Sequence, residues 1–118
     1  LIFTGYVATE DLPRLISASS AFAYVSLYEG FGIPVVEALA CGVPVVTSTD
    51  PTMIEVSGGI AETCDPSSVD AIEAGLVKAL TDDAFRRRCR EEGPKWSGRY
   101  SLENMGKAAM EGYRKALQ

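Results

Sequence analysis

The stretch Glu29–Glu37 constrains the fold of this chain more than any other. Its two terminal carboxylates enclose two glycines and a proline. Glycine adopts backbone conformations that a Cβ forbids and lets the chain approach a ligand closely, and proline suits the first turn of a helix. The preceding residues 21–27 are apolar and partly β-favouring, as in a buried strand. The sequence therefore predicts a strand at Ala21–Leu27, a glycine turn, and a helix at Pro34–Ala40.

The two carboxylates predict a ligand site at the start of this helix. Glu29 lies at the C-terminal end of the strand and Glu37 about one turn into the helix, so both are expected to face one crevice. The free N–H groups at the helix start favour an anion, and Ile33 contributes mainly its N–H. Carboxylates that accept hydrogen bonds from hydroxyls, beside amides that hold a phosphate, indicate a nucleotide sugar. The alternatives are surface acids and a purely structural turn at Gly30–Gly32.

The rest of the chain alternates between strand-like and helix-like segments. Further strands are predicted at 1–4, 44–47 and 59–64. Three further helices are predicted to follow the capping residues Thr9, Ser67 and Ser101. Two more are predicted at 53–56 and after Asp82 or Asp83, the latter with an interruption at 93–94. This alternation is typical of a parallel sheet with helices on both faces, and strand 21–27 is expected at its centre. Ligands of such folds bind outside the carboxyl ends of the strands, where turns 5–7, 28–33 and 48–55 are predicted. The predicted fold class is therefore α/β, Rossmann-like.

Composition and charge narrow the class of protein. The chain has 118 residues, 47% of them apolar, which fits one domain with a modest core. Its net charge of -5 argues against nucleic acid or an anionic membrane as a general partner. Its three cysteines have no Cys-x-x-Cys spacing and fit reduced thiols. Such thiols favour a cytoplasmic protein. Because no apolar run reaches transmembrane length, we expect no transmembrane segment.

The Glu29–Pro34 stretch, followed by Glu37–Val46, resembles a known family signature. Two glutamates with seven residues between them, the glycines, the proline and the trailing Ala-x-Gly-x-Pro-Val are similar to the Glu-x(7)-Glu motif of retaining glycosyltransferases of family four. Further segments that are similar to the family lie at 3–7, 11–15, 54–56 and 64–66. The resemblance covers nearly all of the chain and is most specific over residues 22–48.

The resemblance implies a fold and an activity. The fold is GT-B, which has two Rossmann domains, and residues 1–118 correspond to the C-terminal nucleotide-sugar-binding domain, truncated at its N-terminus. The activity is transfer of a hexose, with retention at the anomeric carbon, from a GDP- or UDP-linked donor to a hydroxyl acceptor such as a sugar or a lipid-linked glycan. No cofactor besides the donor and no metal are expected.

The resemblance also implies segments upstream of Leu1. An N-terminal acceptor domain is expected there, together with an Arg and a Lys that neutralise the diphosphate leaving group. The isolated chain is therefore expected to be inactive. The full enzyme is expected in the cytoplasm or peripherally at the membrane.

Roles for individual residues follow from the same resemblance. Glu29 is the candidate catalytic residue, close to the hydroxyls of the donor sugar, and Glu37 holds the ribose hydroxyls. The turn amides face the diphosphate and the sugar, and the first predicted turn underlies the nucleotide base. The donor-binding candidates are Tyr6, Val7, Glu29, Gly30, Phe31, Gly32, Ile33 and Glu37.

Other interpretations remain open from the sequence. Tyr6 and Val7 also fit a plain turn at a strand end, and Glu55 fits a helix start or cap. The basic run 86–90 is interpreted as a solvated helix face, and the apolar stripe of 102–117 as core or as an interdomain contact. The competing function is a non-catalytic Rossmann-like module that binds a nucleotide or serves as a scaffold. The presence of both carboxylates of the signature favours the enzyme, because a scaffold needs neither.

Overall fold

Three short parallel strands form the sheet on which the chain is built. The structure is a computed structural model that describes residues 1–117. The strands are β1 (Phe22–Tyr24), β2 (Val45–Ser48) and β3 (Glu62–Cys64), and they pair in chain order. The helices are α1 (Leu12–Ser17), α2 (Ile33–Ala40), α3 (Pro51–Ser57), α4 (Val69–Thr81), α5 (Asp83–Ser97) and α6 (Leu102–Ala116), and a 3₁₀ turn at Gly98–Tyr100 joins the last two.

The central strand is β2, not the predicted strand 21–27. Phe22 pairs with Val45 on one side of the sheet, and Ser48 pairs with Cys64 on the other. The prediction is wrong because β1 lies at an edge of the described sheet. The predicted strand at 1–4 is also wrong, since these residues are exposed and form no regular structure. An apolar run becomes a strand only where a neighbour satisfies its backbone, and no strand within residues 1–117 pairs with it.

Both faces of β2 are covered by helices. Val45 and Val46, which point to opposite faces, are completely buried. The helix α2 packs against β1 and β2, whereas α4 packs against β2 and β3. A Cβ added at Gly75 of α4 would lie 3.0 Å from Val46 Cγ1, so the α4 helix lies directly on the sheet. The predicted Rossmann-like α/β fold with a parallel sheet is therefore confirmed.

Side-chain caps fix where four helices begin. Asp50, Ser68, Asp82 and Ser101 accept hydrogen bonds from the backbone N–H groups of Thr52, Ala71, Phe85 and Asn104 at 2.9, 3.2, 2.9 and 3.3 Å. The predicted cap at Ser67 is wrong because its hydroxyl donates to Asp65 Oδ1 at 2.6 Å. The first helix begins after Asp11 rather than after Thr9.

The helix α5 runs through Gly93 and Pro94 without the predicted interruption. A Cβ at Gly93 would lie 2.6 Å from the Leu39 carbonyl oxygen, so α5 and α2 are in close contact at this point. Tertiary packing of this kind outweighs the low intrinsic helix propensity of glycine and proline. The contact brings α5 against the helix that carries Glu37.

The last helix, α6, has no buried residue. Leu102, Met105, Tyr113 and Leu117 of its apolar stripe are between 58% and 88% exposed, so within the described residues the stripe is not part of the core. The molecule measures 53 × 30 × 30 Å. Among residues 1–117, no helix has both the length and the apolar character needed to cross a bilayer.

Candidate functional site

Glu29 lies in the loop between β1 and α2, and two hydroxyl groups hold its side chain. Its Oε1 atom accepts hydrogen bonds from Tyr24 Oη at 2.6 Å and from Ser26 Oγ at 2.9 Å. Glu29 is half-buried, and in the described part of the chain Oε2 has no hydrogen-bond donor. The hydrogen bond to Glu29, followed by burial and by the charge of the same carboxylate, raises the pKa of Tyr24. The Glu29 carboxylate is therefore oriented before any ligand arrives.

Sequence reasoning missed Tyr24 and Ser26 as partners of Glu29. Tyr24 ends β1 and Ser26 follows two positions later, and both side chains reach the same oxygen of Glu29. The hydroxyl of Thr47 donates to the Tyr24 carbonyl oxygen at 2.9 Å and ties the end of β1 to β2. The period-2 spacing of two hydroxyl side chains just before Glu29 is the signal that could have identified them.

In the loop between β1 and α2, Gly32 is the glycine whose backbone conformation disfavours other residues. Gly32 has φ +86° and ends the loop as the N-cap of α2, whereas Gly30 does not have positive φ. A Cβ at Gly32 would collide with Met53 Cε and lie 3.0 Å from its Sδ. At Gly30 no atom lies within 4 Å of an added Cβ. The backbone at Gly30 is therefore open to a ligand, while that at Gly32 is packed against α3.

The start of α2 offers backbone donors at the carboxyl end of the sheet. Gly32 has no side chain to cap the helix, and Pro34 has no N–H. The Val35 N–H bonds to the Gly32 carbonyl at 3.0 Å. Ile33, which is 60% exposed, therefore carries the N–H best placed for an anion. Phe31 packs edge-on against Tyr100, with ring centroids 5.4 Å apart.

Glu37 lies on α2 and lines grooves that Glu29 does not line. It is exposed and lines two adjoining apolar grooves of about 230 and 350 Å³ between α1, β1 and α2. Leu12 and Ile16 line both grooves, and Thr9 lines the smaller one. Glu29 lines neither of them. The structure therefore places the two carboxylates on one strand–loop–helix unit without joining them in a described cavity.

The remaining predicted positions lie before α1 and within α3. Tyr6 is 91% exposed, Val7 is half-buried, and Gly5 before them has φ +64°. Glu55 lies in the last turns of α3, so a helix-start role for it is wrong, and Asp50 caps this helix instead. Among residues 1–117, no three His, Cys, Asp or Glu side chains are grouped as a metal site would require.

Comparison with known proteins identifies the family. The family model described as glycosyl transferases group 1 matches residues 1–96. The chain belongs to the glycosyl transferases group 1 family. The matched range contains the sheet, both signature glutamates and the loop between them. Fold and family agree with the C-terminal domain of a GT-B glycosyltransferase.

Several curated members of the glycosyl transferases group 1 family are similar to this chain. O-antigen chain mannosyltransferase B of Escherichia coli is 41% identical over 112 residues, which cover 95% of this chain and 29% of that protein. A serotype-specific mannosyltransferase of Escherichia coli is 36% identical over 118 residues, covering 100% of this chain and 14% of that protein. MMP alpha-(1->4)-mannosyltransferase of Mycolicibacterium hassiacum is 30% identical over 115 residues, covering 94% of this chain and 28% of that protein.

The chain spans less than a third of the length of these three relatives. The matched part includes the whole strand–loop–helix unit around Glu29 in this chain. No solved structure matched the chain.

Proposed function

We propose that residues 1–118 form the C-terminal donor-binding domain of a retaining glycosyltransferase that uses a nucleotide-diphosphate sugar. The observation that carries the proposal is the oriented Glu29 carboxylate beside the open start of α2, at the carboxyl end of a parallel sheet, in a chain of this family. The full enzyme transfers a hexose to a hydroxyl acceptor, a sugar or a lipid-linked glycan. Three similar proteins are named as mannosyltransferases, which favours mannose as the hexose.

The proposed donor extends along the strand–loop–helix unit. The backbone of Gly30 and the Ile33 N–H hold the diphosphate, because they are accessible and lie at the positive end of α2. Glu29 accepts a hydrogen bond from a sugar hydroxyl and is the catalytic candidate. The donor nucleotide is GDP or UDP, and we propose no cofactor and no metal.

The groove between α1 and α2 is the proposed site of the nucleoside. Glu37 lines it and presents a carboxylate for the ribose diol, since a carboxylate accepts two hydrogen bonds and donates none. The apolar side chains of Leu12 and Ile16 provide a surface for the rest of the nucleoside. Tyr6 and Val7, just before α1, are proposed to contact the base.

The proposed partner is an N-terminal acceptor domain of the same enzyme. In a two-domain enzyme, the catalytic cleft forms between the domains, so this chain alone binds the donor and transfers nothing. The exposed apolar stripe of α6 is proposed to contact the other domain. We propose that the full enzyme works in the cytoplasm or peripherally at the membrane, where it meets a lipid-linked acceptor.

The test compares the isolated chain with the full enzyme. Calorimetry of residues 1–118 with GDP, UDP and their sugars should show binding of one nucleotide, and the full enzyme should transfer mannose from the matching donor. Nuclear magnetic resonance of the product should show the anomeric configuration of the donor. Nucleotide binding without transfer by the full enzyme would instead support the non-catalytic binding module. An inverted product would contradict the retaining mechanism.

A further inference from the structure

The side chain of Glu29 is held by only one of its two oxygens. Tyr24 Oη and Ser26 Oγ both donate to Oε1, at 2.6 and 2.9 Å. Two short hydrogen bonds occupy the lone pairs of one carboxylate oxygen. The second oxygen, Oε2, accepts no hydrogen bond from any described residue. The carboxylate therefore presents a single acceptor atom to its surroundings.

The two donors are themselves fixed to the sheet. Tyr24 is the last residue of β1, and its carbonyl oxygen accepts a hydrogen bond from the buried Thr47 of β2. Ser26 follows two positions later in the same segment. The loop therefore folds back so that residue 29 is held by residues that precede it. Its orientation depends on the end of the sheet and not on the loop alone.

We propose that Tyr24 and Ser26 are positioning residues that hold Oε1 of Glu29, so that Oε2 is the oxygen that contacts the donor hexose. This inference rests on the proposed function, because it assumes that Glu29 faces the sugar. A freely rotating carboxylate can present both oxygens to the donor, whereas the held carboxylate presents only Oε2. The pair thereby aligns Glu29 before the donor binds.

The hydrogen bond can be tested without measuring activity. Spectrophotometric titration of the phenols in the full enzyme should show one tyrosine, absent from Tyr24→Phe, that ionises above the ordinary range. Glu29→Gln removes the negative charge and should lower the pKa of that phenol. An unchanged titration in Glu29→Gln would show that Tyr24 is not bonded to Glu29 and would overturn the proposal.

Kinetics of the full enzyme test the positioning role. Tyr24→Phe and Ser26→Ala should each lower kcat by about 10-fold, and the affinity for the nucleotide and the melting temperature should stay close to wild type. The control is Tyr28→Phe, since Tyr28 is 84% exposed in the same loop. Wild-type kcat in both variants, or an equal loss of nucleotide affinity, would overturn the proposal.

The kinetics of Glu29→Gln separate this inference from the proposed function. If Glu29→Gln lowers kcat but Tyr24→Phe and Ser26→Ala do not, Glu29 acts without help from the pair. If Glu29→Gln itself has wild-type kcat, the catalytic assignment of Glu29 is wrong. The phenol titration then still shows whether the hydrogen bond exists.

Discussion

Glu29 and Glu37 have the same side chain but different surroundings. Glu29 is half-buried and accepts two hydrogen bonds from hydroxyls, whereas Glu37 is exposed at the edge of apolar grooves. A held carboxylate suits a reacting centre, where alignment affects the rate. An exposed carboxylate suits the recognition of a diol. The two residues should therefore differ in which kinetic parameter they control.

Glu29→Gln in the full enzyme should reduce kcat more than nucleotide affinity. Glu29 is proposed to lie beside the sugar, where charge develops as the glycosidic bond breaks. Loss of an interaction made mainly in the transition state lowers kcat without a matching loss of ground-state affinity. Steady-state kinetics and calorimetry measure the two quantities. A near-normal kcat would make Glu29 a structural residue of the loop.

Glu37→Gln should weaken binding of the nucleoside diphosphate, whichever sugar is attached. A lost hydrogen bond to a charged group costs on the order of 1.5–3 kcal/mol. Calorimetry with GDP and UDP gives the change in Kd. Glu55→Gln is the matched control, because Glu55 is an exposed helical glutamate outside the grooves. Equal affinity of Glu37→Gln and wild type for the nucleotide would exclude the ribose contact.

Gly32→Ala should destabilise the protein, and Gly30→Ala should not. Gly32 has φ +86° and faces Met53, so an alanine adds backbone strain of about 1–2 kcal/mol and a steric collision. Gly30 has open space and no positive φ. Urea denaturation of both variants measures the free energy of unfolding. Equal stability of the two would mean that the loop adopts another conformation.

At the level of elements, side chains of α5 donate hydrogen bonds to α3 and to the segment between α3 and β3. Arg88 Nη2 donates to the carbonyl oxygens of Gly59 and Ile60 at 2.8 and 2.9 Å. Trp96 Nε1 donates to the Val56 carbonyl at 2.8 Å. The basic run 86–90 was predicted to be a solvated face; Arg88 is exposed as predicted, but its guanidinium also makes these two hydrogen bonds. Its guanidinium satisfies backbone carbonyls where the chain leaves a helix and enters a strand.

Arg88→Met should lower the free energy of unfolding by about 1–3 kcal/mol. The substitution keeps much of the aliphatic bulk but leaves the Gly59 and Ile60 carbonyls without their donor. Arg87→Met is the control, since Arg87 is exposed on the same helix. Urea denaturation of both proteins gives the difference. Equal stabilities would show that water replaces the guanidinium at no cost.

The sequence predicted elements well where the information was local. The strand before Glu29, the glycine turn, the helix at Pro34 and the cap at Ser101 all depend on neighbouring residues, and all are present. The strand is shorter than predicted, Phe22–Tyr24, and the helix starts at Ile33. The strand at 1–4 and the break at Gly93 depended on distant partners. A strand needs a neighbour, and a glycine in α5 is tolerated because it fits against Leu39.

The candidate site was predictable in position but not in geometry. The signature correctly located Glu29 between a strand and a helix and Ile33 at the helix start, but β1 ends at Tyr24, so Glu29 lies in the loop and not at the strand end. It did not reveal that Tyr24 and Ser26 hold the carboxylate, because the loop folds back on its own strand. Nor did it show that Glu37 faces α1. These relations depend on the path of the chain in three dimensions.

At the scale of the whole molecule, buried thiols couple stability to pH. Cys64 and Cys89 are buried, and burial is the largest cause that raises the pKa of each thiol. The unfolded chain therefore releases these protons at lower pH than the folded one. Their contribution to stability is complete below the ordinary thiol pKa and is lost as the pH rises through the raised values.

Urea denaturation at a series of pH values from neutral to alkaline should show this loss. In Cys89→Ala, the unfolding free energy should be lower at neutral pH, because a buried side chain is truncated, but should fall less steeply above the thiol range. Cys41→Ala is the control, because Cys41 is only half-buried. Parallel pH profiles for Cys89→Ala and wild type would contradict the thiol explanation.

The position of Trp96 makes it an intrinsic fluorescence probe of this chain. It is the single tryptophan of the chain, it is half-buried, and its indole binds the last turn of α3 while the Arg99 guanidinium stacks over its ring at 4.3 Å. The same α3 helix carries Met53, which packs under Gly32 of the Glu29 loop. Fluorescence of one indole therefore reports on how α3 and α5 are joined, beneath the loop where the donor is proposed to bind.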